Sequence, residues 1–387
     1  MDEYIEPVED ICMHTADEYE KHLGAVITPL FQNSLFIQRK GEPYGSGEFI
    51  YSRMSNPSIL VAEKKLAKME KGEKALCFSS GMGAISSGIL SSIHHGDHIV
   101  CVRNVYGPTR SFLEVFCQRF GIETTFVPGL EAEDFEKAIR PNTRLFYLES
   151  PSTFLFWLQD IETVCQIAKA KQITTMIDNT WATPLYQNPI EMGVDIVMHT
   201  ASKYIGGHSD IVAGALISTQ QRLDKIQEEE RAWLGNTIDP HSAWLMTRGM
   251  RTLPIRMEKH QQQALVIAQF LEKHSRIKQV FYPGLSSHPQ QHLIQKQLKG
   301  FSGLLSFIPA GTDEQILAFV DALRWFQTGC SWGGFESLVI PIGFRMDTET
   351  EERLGIPHGL VRISVGLENI DTLLEDLDQA LALLPIA

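Results

Sequence analysis

The sequence predicts an α/β protein built on a mostly parallel sheet, followed by a smaller α+β domain. Three observations carry this expectation. From Asn56 onward strand-like runs alternate with helix-like ones, the pattern of a parallel sheet covered on both faces. Two runs, Ile173 to Ile177 and Val194 to Met198, are mainly apolar or β-branched, as strands buried on both sides are. Beyond about residue 245 a long helix-favouring stretch gives way to shorter strands. With 387 residues, 43% hydrophobic and 21% charged, the chain can bury a large core and a second, smaller one.

Taken in order, residues 1–54 show weak periodicity interrupted by Pro29, Gly41, Pro43, Gly45 and Gly47, and read as an extended arm of the kind that packs on a neighbouring subunit. Residues 55–245 read as the large domain. Its elements are a charged amphipathic helix from Asn56 through Lys71, a strand at Ala75 to Ser79, a helix from Gly81 and a strand at His98 to Val102. A helix after Pro108 follows, then strands near Thr124 to Val127 and Arg144 to Glu149, a helix near Asp160 to Lys171, and the two runs named above. A charged helical stretch, Gln220 to Trp233, leads to a long helix-favouring segment between about Ala243 and His274. Residues 246–387 read as the smaller domain, with strands at Gly303 to Ile308 and Val361 to Val365 and helices at Asp313 to Leu323 and Asp371 to Leu384.

The net charge of −13 argues against a nucleic-acid partner, which would need a basic face to displace phosphate counterions. No uncharged apolar run approaches the length of a membrane span, and none is expected. The opening MDEYIEPVEDICMHTADEYE lacks a basic segment followed by an apolar core, so the expectation is a cytoplasmic protein without a signal peptide. Cys12, Cys77, Cys101, Cys117, Cys165 and Cys330 are scattered without a CxxC pair and read as reduced, buried thiols.

Chemistry concentrates where the two apolar runs end. One stops at Asp178 and the other leads to Thr200, Ser202 and Lys203, so two strands deliver a carboxylate and an amine to one sheet edge. Pyridoxal phosphate needs both: an amine for its aldehyde, and a carboxylate to keep its pyridine nitrogen protonated so that the ring accepts electrons. Either residue alone is ordinary, since charged residues at strand ends are common. Ser80, Gly81 and Met82 follow a strand and open a helix, where free N–H groups and the helix dipole attract a phosphate; the same turn also serves tight strand-to-helix packing. Thr200 and Ser202 add hydroxyl donors.

Tyr51 and Arg53 stand on the arm, where an arginine fork can grip phosphate or simply face solvent. Tyr106, after the His98 to Val102 run, can stack on a flat ring or pack half-buried. Arg362 enters an apolar strand and needs a partner, either a substrate carboxylate or an internal acid. His94, His95, Asp97 and His98 straddle a glycine turn, and spacing of that kind does not make a metal site. Glu228, Glu229 and Glu230 read as a solvated helix face, and His208 as a structural histidine.

With these residues in place, the chain from about Ala25 to its end resembles the transsulfuration family of pyridoxal-phosphate enzymes. The matching segments, in order, are YSRMSNP, FSSGMGA, VYGPT, LESPS, IDNTWATP, TASKYIGGHSD, TRGMRTLPIRM, SWGGFESL and VRISVGLENID. The resemblance implies fold type I, the aspartate aminotransferase-like architecture, with pyridoxal 5'-phosphate as cofactor. It implies Lys203 as the Schiff-base lysine, Asp178 at the ring nitrogen, and Tyr106 stacked on the ring. Phosphate contacts would come from Ser80, Gly81, Met82, Thr200 and Ser202, joined by Tyr51 and Arg53 of a neighbouring subunit, while Arg362 would hold the substrate carboxylate.

Within that family many members carry Asn and Pro where this chain has Thr153 and Phe154, and γ-lyases and γ-synthases usually carry Gly or a reactive Cys where it has Pro108. These departures, with IDNTWA and SWGGFES, look like the branch of bacterial cystathionine β-lyases. That branch makes Trp332 a wall of the substrate pocket and Ser331 a neighbour of the substrate carboxylate. The implied reaction is β-elimination of L-cystathionine and related cysteine thioethers to a thiol, pyruvate and ammonia, with Lys203 moving the Cα proton and Tyr106, its pKa lowered by the cationic cofactor surroundings, as base for the substrate ammonium. A γ-lyase or γ-synthase on the same scaffold is the nearest alternative, and a cofactor-binding regulator without turnover a remote one. Sharing Tyr51 and Arg53 between subunits would require a homo-oligomer, a dimer or a dimer of dimers.

Overall fold

A computed structural model describes residues 6–344 and 346–387. Seven strands form the larger sheet: β1 (Lys74–Phe78), β2 (His98–Val102), β3 (Glu123–Val127), β4 (Thr143–Glu149), β5 (Thr174–Asp178), β6 (Ile196–His199) and β7 (Gly214–Ser218), in the order β1-β7-β6-β5-β4-β2-β3. From β6 across to β3 every pairing is parallel, as the alternation predicts. Strand β7 is the exception, antiparallel to both β1 and β6. It is absent from the sequence reading because GALIS is short, opens on glycine and follows β6 without an intervening helix. The glycine has a reason: a Cβ on Gly214 would lie 2.3 Å from the Ser80 carbonyl oxygen.

Helix termini obey local chemistry. Asn56 accepts a hydrogen bond from the Ser58 N–H and Pro57 takes the first turn, so the helix Pro57–Met69 starts with its donors satisfied. The helix-favouring segment from about Ala243 to His274 forms two helices, Pro240–Arg251 and Leu253–Lys273. Pro254 explains the break, because a proline suits the first turn of a new helix and cannot donate within an old one.

The smaller sheet has β8 (Ile277–Phe281), β9 (Leu304–Pro309), β10 (Gln327–Thr328), β11 (Leu338–Pro341) and β12 (Val361–Ser364), in the order β10-β11-β12-β9-β8. All its pairings are antiparallel except β10 with β11. Helices Asp313–Ala322 and Ile370–Leu381 contribute Ile316, Phe319, Leu373 and Leu377 to its core. Phe156 and Trp181, from the turns after β4 and β5, are buried in this second core, while Tyr186 and Trp332 touch both cores. The ends of β4 and β5 therefore lie where the two sheets meet.

Not all of the first fifty residues are extended: Val8–His14 is helical, with Ile11 and Cys12 buried. Farther along, Leu23, Val26, Ile37 and Tyr44 are exposed. Five of the six thiols are buried, but Cys330 is exposed, a correction to the expectation that all are buried; it sits in the loop after β10. Among the described residues no helix is long and apolar enough to cross a membrane, and no group of three or more His, Cys, Asp or Glu side chains is placed to hold a metal ion. His98 is instead buried between the hydroxyls of Thr125 and Thr143, both at 2.8 Å.

Candidate active site

A cavity of about 380 Å³ lies between the ends of β4 and β5 and the smaller sheet. Tyr106, Asp178, Lys203, Trp332 and Arg362, all singled out from sequence, line it together. Strands β5 and β6 are neighbours in parallel register, which brings Asp178 and the turn carrying Lys203 to the same edge.

Asp178 is buried and accepts hydrogen bonds from the N–H and hydroxyl of Thr180. Burial pushes its carboxyl up, while Thr180, His199 and Lys203 favour the charged form. The Lys203 amine donates to Ser331 Oγ at 2.7 Å and lies 5.4 Å from the centroid of the Trp332 ring. Burial first, and Arg362 second, push that amine down to about 8. Such an amine is unprotonated in about a tenth of molecules at pH 7 and is correspondingly nucleophilic.

Arg362, on β12, is 8% exposed. Its Nη2 donates to the carbonyl oxygens of Cys330 and Ser331 at 2.9 and 3.2 Å, and its Nε has no partner. Among the described residues no acid pairs with it, so the internal ion pair allowed by the sequence is not made. A buried cation in that condition is suited to an incoming carboxylate.

The phosphate candidates divide. Ser80 caps the helix Gly81–Leu90 by accepting from the Gly83 N–H at 3.0 Å, leaving the first-turn N–H groups of Gly81 and Met82 without intrahelical partners. A Cβ on Gly81 would meet Thr200 Oγ1 at 2.3 Å, so glycine is what lets the Thr200 turn close onto the helix start. The Ser202 hydroxyl is engaged by Ala213, accepting from its N–H at 2.9 Å and donating to its carbonyl at 3.2 Å. Tyr51 and Arg53 do not line the cavity. Arg53 donates to the Ala232 carbonyl at 3.1 Å and lies over the Tyr51 ring at 5.7 Å.

Tyr106 has its phenol pushed up by the protein's own groups, by burial first and by Asp178 second. His208 is exposed and bonds the Gly206 carbonyl. Glu149 was legible in the sequence as the end of a strand but not as a site residue. It ends β4 opposite Asp178 in register, lines the cavity, and is pushed up to about 8 by burial and by Asp178. The available signal was that β4, like β5, is an apolar run ending in an acid.

A nucleophilic amine, a buried acid, a glycine-built anion cradle and an unpaired guanidinium are the groups pyridoxal phosphate and an amino-acid substrate require, and the residues present fit them. Fold and pocket together define the class of fold type I pyridoxal-phosphate enzymes. The profile of the Cys/Met metabolism PLP-dependent enzyme family matches residues 9–382, and the chain belongs to that family. It is 39% identical over 375 residues to a cystathionine gamma-lyase of Bacillus subtilis, covering 96% of this chain and 98% of the relative. It is 40% identical over 374 residues to an L-methionine gamma-lyase of Porphyromonas gingivalis, covering 94% of each. To a cystathionine beta-lyase of Lactococcus lactis it is 38% identical over 375 residues, covering 95% and 97%. The crystal structure of metB from Corynebacterium glutamicum superposes with a TM-score of 0.92 at 32% identity, covering 97% of this chain and 98% of that one. The names of these relatives include both β- and γ-lyases, so membership establishes an enzyme of pyridoxal-phosphate-dependent Cys/Met metabolism without choosing the carbon at which sulfur leaves.

Proposed function

We propose that this enzyme is a carbon–sulfur β-lyase that converts L-cystathionine and related cysteine thioethers to a thiol, pyruvate and ammonia. The carrying observation is the unpaired Arg362 guanidinium in one cavity with the Lys203 amine and the Asp178 acid, beside apolar walls from Phe154, Trp332, Ile340 and Ile342. That arrangement suits an α-amino acid with a thioether side chain.

In this reading Arg362 grips the α-carboxylate through its planar fork. Lys203 takes the Cα proton, then delivers a proton to the departing sulfur, so that one base serves both transfers. Asp178 would keep the pyridine nitrogen protonated, while Gly81, Met82 and Thr200 would hold the phosphate, joined by Ser202 once its hydroxyl turns from the Ala213 carbonyl. Pyridoxal phosphate, when bound, supplies the electron sink for the charge left at Cα. Tyr106 would pack its ring against the cofactor. Pro108, on the cavity wall, stands where the resemblance gives γ-lyases and γ-synthases a Gly or a reactive Cys, which supports β- over γ-elimination.

A γ-elimination reading is favoured by the identity to relatives named as γ-lyases. It requires a second proton to leave Cβ, and its products differ. Purified enzyme given L-cystathionine is expected to release homocysteine and pyruvate; 2-oxobutyrate and cysteine would overturn the β-lyase reading.

We also infer a homo-oligomer, a dimer or a dimer of dimers, whose sites are completed by Tyr51 and Arg53 of a second copy. Within one protomer neither residue lines the cavity, and the arm exposes Leu23, Val26, Ile37 and Tyr44. A cytoplasmic setting, which keeps free thiols reduced, agrees with this reading.

A further inference from the structure

We propose that Glu149 is a positioning residue of this site: seated beside Asp178, it fixes the setting of Tyr106 through that residue's backbone N–H and carries the proton of the acid pair, leaving the negative charge on Asp178. The inference rests on the pocket assignment above.

Glu149 and Asp178 end adjacent parallel strands as direct partners. Neighbouring strands run about 4.8 Å apart, their paired side chains share one face, and two buried carboxyl groups that act on each other do not readily both ionise. Their surroundings decide which one keeps the proton. Asp178 receives two donors from Thr180 and the favourable charges of His199 and Lys203. Glu149 faces Asp178 from β5, Cys101 from β2, Tyr147 from its own strand and Tyr106 from the turn after β2; Lys203 and Arg362 line the same cavity, and Arg110 stands near Cys101. Burial and the Asp178 charge push its carboxyl up to about 8, in agreement with a protonated Glu149.

Glu149 Oε2 accepts the Tyr106 N–H at 2.7 Å, and Oε1 accepts from the Thr153 hydroxyl. These donors favour a charged Glu149, and burial with the Asp178 charge outweighs them. A proton on Oε1 can be shared with Thr153 while Oε2 goes on accepting from Tyr106. The Glu149 N–H is itself held by Gln159 Oε1 at 3.2 Å, so the carboxyl starts from a fixed backbone. One neutral acid thus ties the ring-packing tyrosine, the turn after β4 and the acid of the pyridine nitrogen into a unit.

A glutamine reproduces this pattern, its NH₂ toward Thr153 and its carbonyl toward the Tyr106 N–H, and an alanine abolishes it. The test compares wild type, Glu149→Gln and Glu149→Ala, each loaded with pyridoxal phosphate, by the visible circular dichroism of the bound chromophore, the pH titration of its absorption band, and kcat against KM. The glutamine chain is expected to match wild type in all three. The alanine chain should show altered dichroism, a shifted titration and a kcat lower by about tenfold, the equivalent of one pKa unit, with KM little changed. An alanine chain whose dichroism and titration equal wild type would overturn the proposal, and so would a glutamine chain as impaired as alanine. Should the alanine chain fail to fold, Thr153→Val, which removes one of the two bonds on the same carboxyl, takes its place with the same expected and contrary results. Borohydride tethering of the cofactor to Lys203 is scored in parallel. Absence of the tether sinks the pocket assignment; a tether with unchanged dichroism sinks only the role of Glu149.

Discussion

The Lys203 amine is held by Ser331 Oγ at 2.7 Å, so a residue that follows β6 is oriented by the loop between β10 and β11. A loop of the smaller domain thus sets the direction of the proposed base.

Replacing Ser331 by Ala removes that bond without adding volume. A hydrogen bond to a charged group contributes on the order of 1.5 to 3 kcal/mol, so kcat/KM for cystathionine should fall by about tenfold to a hundredfold. Steady-state kinetics measure this, and an unchanged rate would mean that the lysine is oriented by other groups.

Arg362→Leu separates recognition from stability. Loss of the fork should raise KM for the thioether by about a hundredfold. The cofactor-free chain should not lose thermal stability, because the guanidinium is buried with no acid beside it and its desolvation cost disappears with it. A marked drop in the melting midpoint would show Arg362 to be structural.

Attachment of pyridoxal phosphate to the cofactor-free chain should depend on pH with a midpoint near the Lys203 value of about 8. Only the unprotonated amine adds to an aldehyde, so the initial rate should rise about tenfold per pH unit below that midpoint and flatten above it. Stopped-flow absorbance follows the reaction. A midpoint near that of an ordinary lysine would contradict the desolvation by the pocket wall and the influence of Arg362.

For Glu149 the folded carboxyl is raised from 4.5 to about 8. Its contribution to stability is therefore fully present below the unfolded value and is lost as pH rises toward the folded one, because the native state must hold a proton that the unfolded chain releases. Glu149→Gln has no such loss. Its stability relative to wild type, without cofactor, should improve across this window by about 1.4 kcal/mol per pH unit. Urea unfolding of both chains through the window measures the difference, and parallel profiles would refute the raised pKa.

Arg53→Ala and Lys203→Ala chains, each inactive alone, should regain activity when unfolded together and refolded as a mixture. Hybrid oligomers would then contain some sites with an intact arginine from one copy and an intact lysine from the other. No recovery would count against sites shared across subunits.

Much of the scaffold was legible because local patterns report burial directly. The apolar runs ending at Glu149 and Asp178, the capped helix after Asn56 and the glycine turn at Gly81 are features of period and turn chemistry that a chain carries wherever it folds. Strand β8 was not legible, since IKQVF places charged and polar residues on exposed positions. Nor was β11, whose closing Pro341 weakens a strand signal. The division of the long helix-favouring segment at Thr252 hung on one proline.

By itself, the sequence determined that an amine and an acid end neighbouring buried strands, because hydrophobic periodicity and strand-end chemistry are local properties. Tertiary structure alone decided that Glu149 stands against Asp178, that Arg362 lacks a counter-charge, that Cys330 is exposed, and that Ser331 holds Lys203. Those outcomes depend on which groups from distant segments share a low-dielectric space, and the electrostatics of such a space follow distance and burial, which the order of residues along a chain does not specify.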